Sequence, residues 1–205
     1  FFFATIVAFE RFLREPGGWR ALGTAGLAGG ALLSKFTAVL LAPLFLLIAA
    51  AAGRLKALKL KWIAVFVAGC VLTVWAGYFF EVKPLLERTP DPAKKEAFLE
   101  KMGGPKLVAL ARTPLPLTTF TASLGSMVFT RAKGTNAFLL GEWSTHGWWY
   151  YYFVAFFVKN TIPFLCLIAI ALALARRLPL DRLAWSALAA PVVFFFVITM
   201  PDRAQ

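Results

Sequence analysis

Two lysines lie within or just after apolar stretches of this sequence. Lys35 is the single charged residue of the segment Ala21–Gly53, and Lys159 comes shortly after the aromatic run Trp148–Tyr152. An amine at the edge of an apolar medium faces a cavity, a partner or a bound anion, or its stem extends until the amine reaches water. Two such amines at one level suit an anionic group such as phosphate. Lys35 and Lys159 are therefore candidate substrate-binding residues, with contact to lipid phosphate as the alternative for both.

A second set of ionisable residues precedes the aromatic run. Glu142 and His146 can act as a base, as metal ligands or as groups that position a substrate, and a solvated loop is the alternative. Two candidate ligands without a third are a weak indication of a divalent metal, and no other cofactor is indicated. Arg131 and Lys133 can contact an anionic substrate or lipid, or simply face water. Because His146 is the one histidine of the sequence, no Ser/His/Asp set can be argued.

The elements that would position these residues are apolar enough for a membrane. The chain is 60% hydrophobic over 205 residues, and its mean hydropathy is +0.73, whereas soluble domains are about 45–50% apolar. The formal net charge is +12, and many of the basic residues lie in short loops between apolar blocks. That distribution is typical of membrane topology and of anionic headgroups as partners, rather than of nucleic-acid binding.

The predicted fold class is an all-α integral membrane protein. It is a polytopic transmembrane helix bundle of about six segments, the first one truncated, with a largely helical external loop at 81–147. Because Ala21–Gly53 is too long for one crossing and is flanked by basic residues at both ends, we predict a turn near Ser34–Lys35. Gly26 and Gly30 have the spacing for close helix packing. The predicted spans of this single transmembrane domain, 1–205, lie near 1–9, 21–33, 36–52, 62–80, 148–175 and 183–200.

Several motifs, in this order along the chain, resemble those of bacterial polyprenyl-phosphate-dependent glycosyltransferases. The segment GLAGGALLSKFTAVLLAPLFLL (Gly26–Leu47) is similar to the family's G-L-A-x-G-x-A-L-L-T-K-x-T-A-L-L-L-x-P. The loop TPLPLTTFTASL resembles a piece that precedes GEWSTHGWWYYYFVAFFVKNTIP (Gly141–Pro163), which is itself similar to G-E-x-S-x-x-G-W-W-Y-Y-F-P-V-A-F-x-V-K-T-P. Phe153 stands where the family often has proline, and the segment Asn160–Pro163 replaces a tighter Lys-Thr-Pro, so the helix is expected to kink at a different place.

The resemblance implies a GT-C enzyme, related to protein O-mannosyltransferases and to the lipid A aminoarabinose transferase. Such an enzyme transfers a sugar from a polyprenyl phosphate to an acceptor hydroxyl of a lipid or protein, on the extracytoplasmic side of a bacterial inner membrane. The substrate-binding residues would be Lys35, Lys159, Glu142, His146 and Arg131. The family's catalytic carboxylate lies in an outward loop that matches no residue here, so we expect an internal fragment that is inactive alone. A membrane transporter or lipid flippase, and a non-catalytic assembly subunit, are the alternatives.

Overall fold

The computed structural model describes residues 1–86, 92–132, 137–139, 141–144, 148, 150–175, 177 and 179–199. Most of these residues are helical, which confirms the helical part of the predicted fold class. The α-helices are α1 (Phe2–Arg14), α2 (Gly18–Ser34), α3 (Leu41–Ala51), α4 (Leu60–Gly77), α5 (Pro92–Arg112), α6 (Thr118–Ala132), α7 (Tyr151–Lys159), α8 (Ile162–Ala175) and α9 (Arg182–Thr199). Short 3-10 helices cover Phe36–Leu40 and Leu55–Ala57.

Two short antiparallel ladders, which the sequence analysis did not predict, complete the described structure. Strand β1 (Val82–Pro84) pairs with β2 (Pro114–Pro116), and β3 (Ala137–Leu139) pairs with β4 (Glu142–Ser144). The predicted external loop therefore contains α5, α6 and both ladders.

Helix length identifies one clear candidate for a membrane span. Among the described residues, α4 alone is long and apolar enough, and only 6% of it is buried. A second candidate arises when α7 and α8 are taken together, but they are bent by 110° at their junction. The crossing predicted at 148–175 stays a prediction, and its helix is sharply broken at Asn160–Thr161. In a continuous helix, Pro163 would have no N–H to donate to the carbonyl of Lys159, and its ring would clash with that carbonyl. The six-span bundle stays a prediction.

The chain forms two compact units. Unit 1 comprises Phe1–Leu40 and Leu58–Thr130, and unit 2 comprises Leu41–Ala57 and Arg131–Gln205. The boundary at Leu40 follows the place where α2 ends, at Ser34, which is also where the turn was predicted. The prediction of one transmembrane domain over 1–205 stays a prediction.

The helices α2 and α4 of unit 1 pack side by side and run parallel. Gly18 at the start of α2 lies beside Trp62 near the start of α4, and Gly77 at the end of α4 lies against Leu33 near the end of α2. Between these points, a methyl group at Gly29 would come within 2.6 Å of Thr73 Cβ. Small residues along both helices therefore let the two backbones approach closely.

The predicted close-packing pair Gly26/Gly30 does not make this contact. A methyl group at Gly26 would have no atom within 4 Å, and one at Gly30 would meet the ring of Phe1 at 3.1 Å. Gly29, rather than Gly26 or Gly30, packs closely against α4 in this part of α2. Because Phe1 immediately precedes α1 and lies near the end of α2, α1 runs antiparallel to α2.

Helix α1 completes the core of unit 1 with one buried face. Ile6, Phe9, Phe12 and Leu13 are buried on that face. The buried hydroxyl of Thr5 donates a hydrogen bond of 2.9 Å to the carbonyl of Phe1, and Thr24 of α2 donates likewise to Arg20 at 2.7 Å. Thr5 and Thr24 therefore each satisfy their hydroxyl one turn back along their own helix.

Unit 2 is held together by α3 and α9. Leu44 and Ile48 of α3 are fully buried, and α9 contributes Leu183 and Ala187. The guanidinium Nε of Arg182, the first residue of α9, donates a hydrogen bond of 2.8 Å to the carbonyl of Ala51, the last residue of α3. Because the end of α3 meets the start of α9, the two helices run antiparallel.

Candidate functional site

The predicted site residues fall in different parts of the chain. Lys35 caps the C-terminus of α2 in unit 1, and Lys159 is the last residue of α7 in unit 2. Both side chains are exposed, and neither makes a hydrogen bond or ion pair with the part of the chain that the structure describes. Glu142 begins β4 and is exposed. His146 and the side chain of Arg131 lie outside the described residues, as does Lys133.

A carboxylate lies directly after α4, at the end where α2 also finishes. Helix α4 ends at Gly77, and Phe79 and Phe80 then have φ angles of 53° and 56°. Positive φ is costly for aromatic residues and persists where the surrounding contacts impose it. The Phe80 amide donates to the carbonyl of Trp75 at 2.9 Å, and the indole Nε1 of Trp75 donates to the carbonyl of Glu81 at 3.1 Å. This strained turn fixes the position of Glu81.

The side chain of Glu81 contacts a donor from distant α6 and another from the adjoining strand β1. Thr119 Oγ1 donates a hydrogen bond of 2.6 Å to Glu81 Oε2, and Lys83 Nζ lies 3.0 Å from Glu81 Oε1. The carboxylate side chain is 15% exposed, so these donors offset much of the cost of removing its charge from water. Thr119 reaches Glu81 because β1 and β2 pair just before α6, with Lys83 opposite Leu115.

The neighbouring hydroxyl of Thr118 has no hydrogen-bond partner among the described residues. Thr118 is 5% exposed, and its Oγ1 is buried without a hydrogen bond in the described part of the chain. Leu117, the residue before it, has a φ of 61°. A buried hydroxyl without a partner costs about 1–3 kcal/mol. Strain and an unsatisfied hydroxyl therefore coincide at the start of α6, beside the residue that holds Glu81.

Aromatic rings connect this carboxylate to the predicted lysine. The ring centroids of Phe36 and Phe120 are 5.7 Å apart, and those of Tyr78 and Phe120 are 6.3 Å apart. Phe36 follows Lys35 in the chain, so the backbone of Lys35 adjoins the same cluster. We call this region the Glu81 end of unit 1, and its residues are Lys35, Phe36, Tyr78, Glu81, Lys83, Thr118, Thr119 and Phe120.

The opposite end of the same helices is basic. We call it the arginine end, and its residues are Glu10, Arg11, Arg14, Glu15, Arg20, Lys59 and Lys61. Arg14 pairs with Glu10 within α1, and Arg20 pairs with Glu15 at 2.5 Å in the connection to α2. Lys61 Nζ lies 4.6 Å above the ring of Trp62. These contacts join residues that are close in sequence.

Sequence reasoning placed Lys35 at this site and missed its other polar members. Glu81 was assigned only as the first residue of the external loop. The available signals were its position as the first charge after the apolar run 62–80, and the presence of Thr118 and Thr119 in the segment TPLPLTTFTASL. Their meeting requires the β1–β2 ladder, which short proline-containing strands do not predict.

The residues of the Glu81 end suit a ligand with hydroxyl groups and an anionic group. A carboxylate accepts hydrogen bonds from hydroxyls, threonine hydroxyls both donate and accept, and an ammonium group binds phosphate. No group of three His, Cys, Asp or Glu residues able to hold a metal lies within the described ranges, and the expected divalent metal stays a prediction. The chain matches no protein-family model, no curated protein and no solved structure.

Proposed function

We propose that this chain is part of a membrane glycosyltransferase, which transfers a sugar from a polyprenyl-phosphate donor to an acceptor hydroxyl on the extracytoplasmic side of a bacterial inner membrane. One observation carries the proposal. Phe36 and Phe120 belong to two different motifs of the resemblance, and their rings contact each other, with Lys35 adjacent to one and Thr119 to the other. Segments far apart in the sequence thus meet at the end of unit 1 that carries Lys35 and Glu81.

The directions of the helices in unit 1 support a membrane topology. Helices α2 and α4 both run from the arginine end to the Glu81 end, and α1 runs the opposite way. By the positive-inside rule, the arginine end faces the cytoplasm and the Glu81 end faces outward. Along α4, side chains such as Ile63, Val67, Val71 and Leu72 are exposed. A continuous apolar surface of this kind is unfavourable in water and favourable in lipid.

The helices of unit 2 alternate in direction, as the successive spans of a multi-pass membrane protein must. Helices α3 and α9 run antiparallel, and the rings of Phe153 and Phe196 stack with centroids 5.2 Å apart, near the start of α7 and the end of α9. The proposed inward direction of α3 and α7 and the outward direction of α9 agree with these contacts. The bent pair α7–α8 is then a broken span.

In the proposed reaction, the acceptor oxygen attacks the anomeric carbon of the donor sugar with inversion. The bond between that carbon and the phosphate oxygen breaks, and the lipid phosphate leaves as the anion. A carboxylate base takes the acceptor proton. Lys35 binds the departing phosphate, where a fixed positive charge stabilises the charge that develops in the transition state. We assign further donor or acceptor contacts to Lys159, Glu142, His146 and Arg131, and no base within this chain.

A membrane transporter or lipid flippase is the second candidate, because α7 and α8 form a discontinuous apolar pair. Transporters build substrate sites from helices broken in this way, with the freed backbone groups facing the site. At this break Asn160 Nδ2 donates a hydrogen bond of 2.7 Å to the carbonyl of Phe156, so one such carbonyl is satisfied locally.

Reconstitution separates the two candidates. The protein, expressed from its intact reading frame, is placed in liposomes with a labelled polyprenyl-phosphate sugar and an extract of acceptor lipids and envelope proteins. A glycosyltransferase moves the label to an acceptor and releases polyprenyl phosphate. A flippase moves the intact lipid between leaflets and leaves the sugar–phosphate bond unbroken. Translocation without release of polyprenyl phosphate would refute the enzyme proposal.

A further inference from the structure

The start of α6 combines two features that are unfavourable for folding alone. Leu117 has a positive φ of 61°, and the buried Oγ1 of Thr118 has no hydrogen-bond partner within the described residues. A valine at position 118 would fill nearly the same volume without the unsatisfied hydroxyl. Strain and unsatisfied polar groups gather at binding sites, where a ligand supplies the missing partner.

The surroundings of Thr118 indicate the chemistry of that partner. Thr119, the next residue in the chain, donates to Glu81 Oε2 at 2.6 Å, and Lys83 Nζ lies 3.0 Å from Glu81 Oε1. A carboxylate has about four lone-pair sites and can accept several hydrogen bonds at once. Phe120 contacts Phe36 and Tyr78. A carboxylate and hydroxyls beside aromatic rings suit a sugar ring, which presents hydroxyl groups at its edge and C–H groups on its face.

A purely structural role explains only part of this arrangement. The hydrogen bond between Thr119 and Glu81 joins the end of α4 to the start of α6, and this structural role is enough to explain the presence of those two residues. It does not account for a second, unsatisfied threonine beside them, which costs stability without joining any elements.

We propose that Glu81, Thr118 and Thr119 form a subsite that binds the hydroxyl groups of a sugar ring, with Phe120 against the face of that ring. The sugar belongs either to the lipid-linked donor or to the acceptor, and the chemistry of recognition is the same for both. This inference rests on the proposed glycosyltransferase function for the identity of the two sources. It adds the residues that hold the sugar to the lysine that binds the phosphate.

Binding to defined probes tests the subsite without turnover. The full-length protein in nanodiscs of neutral lipid is titrated by calorimetry with two-isoprene phosphates that carry mannose, glucose or galactose. The same phosphate without a sugar and the free methyl glycosides are the matched probes. The variants are Thr118→Val, Thr118→Ser as the conservative control, and Glu81→Gln.

We expect at least one glycosyl phosphate to bind the wild type more tightly than the bare phosphate does. Thr118→Val should weaken that binding by about 5–10-fold, and Glu81→Gln by about 10-fold or more, with no change for the bare phosphate. Thr118→Ser should retain most of the affinity. Thr118→Val should also unfold at the same or a higher temperature than the wild type, because the unsatisfied hydroxyl is gone. A merely structural threonine would not combine retained stability with lost sugar affinity.

The probes also distinguish the two sources of the sugar. If the donor sugar occupies the subsite, Lys35→Met and Thr118→Val both weaken the glycosyl phosphate. If an acceptor sugar occupies it, a methyl glycoside binds in a manner that depends on Thr118 and is indifferent to Lys35→Met. The proposal is overturned if Thr118→Val binds every sugar probe as the wild type does, or if no probe gains affinity from its sugar.

Failure of the subsite differs from failure of the proposed function. If the protein binds sugar in a manner that depends on Thr118 but never transfers it, the subsite is supported and the glycosyltransferase function is refuted. If the Thr118→Val variant transfers the sugar with an unchanged KM, the glycosyltransferase function is supported and the subsite is refuted.

Discussion

Two glutamates at opposite ends of unit 1 are shielded to the same degree and are held in different ways. The side chain of Glu10 at the arginine end is 16% exposed, and that of Glu81 at the Glu81 end is 15% exposed. Glu10 pairs with Arg14 one turn along α1, whereas Glu81 accepts from Thr119, 38 residues away. The first pair forms wherever α1 forms, and the second exists only when α4, the β1–β2 ladder and α6 have assembled.

This difference separates a local charge pair from a site. A pair within one helix contributes about 0.3–0.5 kcal/mol and holds no geometry beyond that helix. A carboxylate fixed by distant segments has a defined position relative to Thr118, Phe120 and the end of α2, which is what recognition of a ligand requires. The arginine end therefore suits topology, and the Glu81 end suits binding.

The largest expected effect is all-or-none and concerns which side of the membrane each end faces. In a background of Cys70→Ala and Cys166→Ala, Trp19→Cys marks the arginine end and Leu115→Cys marks the Glu81 end; both native side chains are exposed. An impermeant maleimide added to intact spheroplasts should label Leu115→Cys alone, and permeabilised cells should label both. Labelling of Trp19→Cys from outside would remove the distinction between the ends.

The next effect is on transfer. Lys35→Met at the Glu81 end should lower kcat/KM for a polyprenyl-phosphate sugar by about 100-fold, because the departing phosphate loses its cation. Lys159→Met should cause a similar loss if both lysines bind this phosphate. Lys61→Met at the arginine end is the control and should leave kcat/KM within about twofold, with equal membrane insertion of all three variants. Equal turnover in Lys35→Met and Lys61→Met would contradict the assignment of Lys35.

A smaller effect, on stability, tests which face of α2 packs against α4. Gly29→Ala places a methyl group 2.6 Å from Thr73 Cβ and should destabilise the protein by about 1–3 kcal/mol. Gly26→Ala, with no atom within 4 Å of the added methyl, should be neutral or stabilising by up to about 1 kcal/mol because alanine favours helix. Thermal unfolding in detergent measures both. The opposite order of stabilities would mean that Gly26, and not Gly29, faces α4.

The smallest effect compares the two glutamates directly. Glu10→Gln should change the free energy of unfolding by about 0.3–0.5 kcal/mol and leave sugar binding unchanged. Glu81→Gln is the matched variant, for which we expect lost sugar affinity. If the two variants have equal affinity for the glycosyl phosphates, the contrast between a local pair and a site does not hold.

Much of the helical framework could be predicted from the sequence. Hydropathy predicted the apolar run that became α4, and the lone charge at Lys35 predicted the end of α2. A kink in this segment was expected from the resemblance, but its 110° size was not, because the length of an apolar segment gives no angle. The contact face of α2 was also missed. Gly26/Gly30 and Gly29 lie on different faces of the helix, and residue spacing alone does not show which face turns toward α4.

The candidate site could be predicted only in part. Lys35 was identified because a charge within an apolar segment is locally unusual, and that signal needs no partner. Glu81 and Thr119 carry no such signal. A glutamate often follows an apolar segment, and threonines often occur in proline-rich loops, without any contact between the two. Their relation depends on a ladder in which Lys83 lies opposite Leu115, and pairing between short distant strands is weakly specified by sequence.

By itself, the sequence determined the helical class, the distribution of basic residues and the position of Lys35, because each of these depends on the composition of a single segment. Only the tertiary structure decided that α2 and α4 run parallel, that Gly29 rather than Gly26 faces α4, and that Thr119 holds Glu81 beside the unsatisfied Thr118. These features depend on which surfaces of distant segments meet, and that choice is made by the packing of the whole unit.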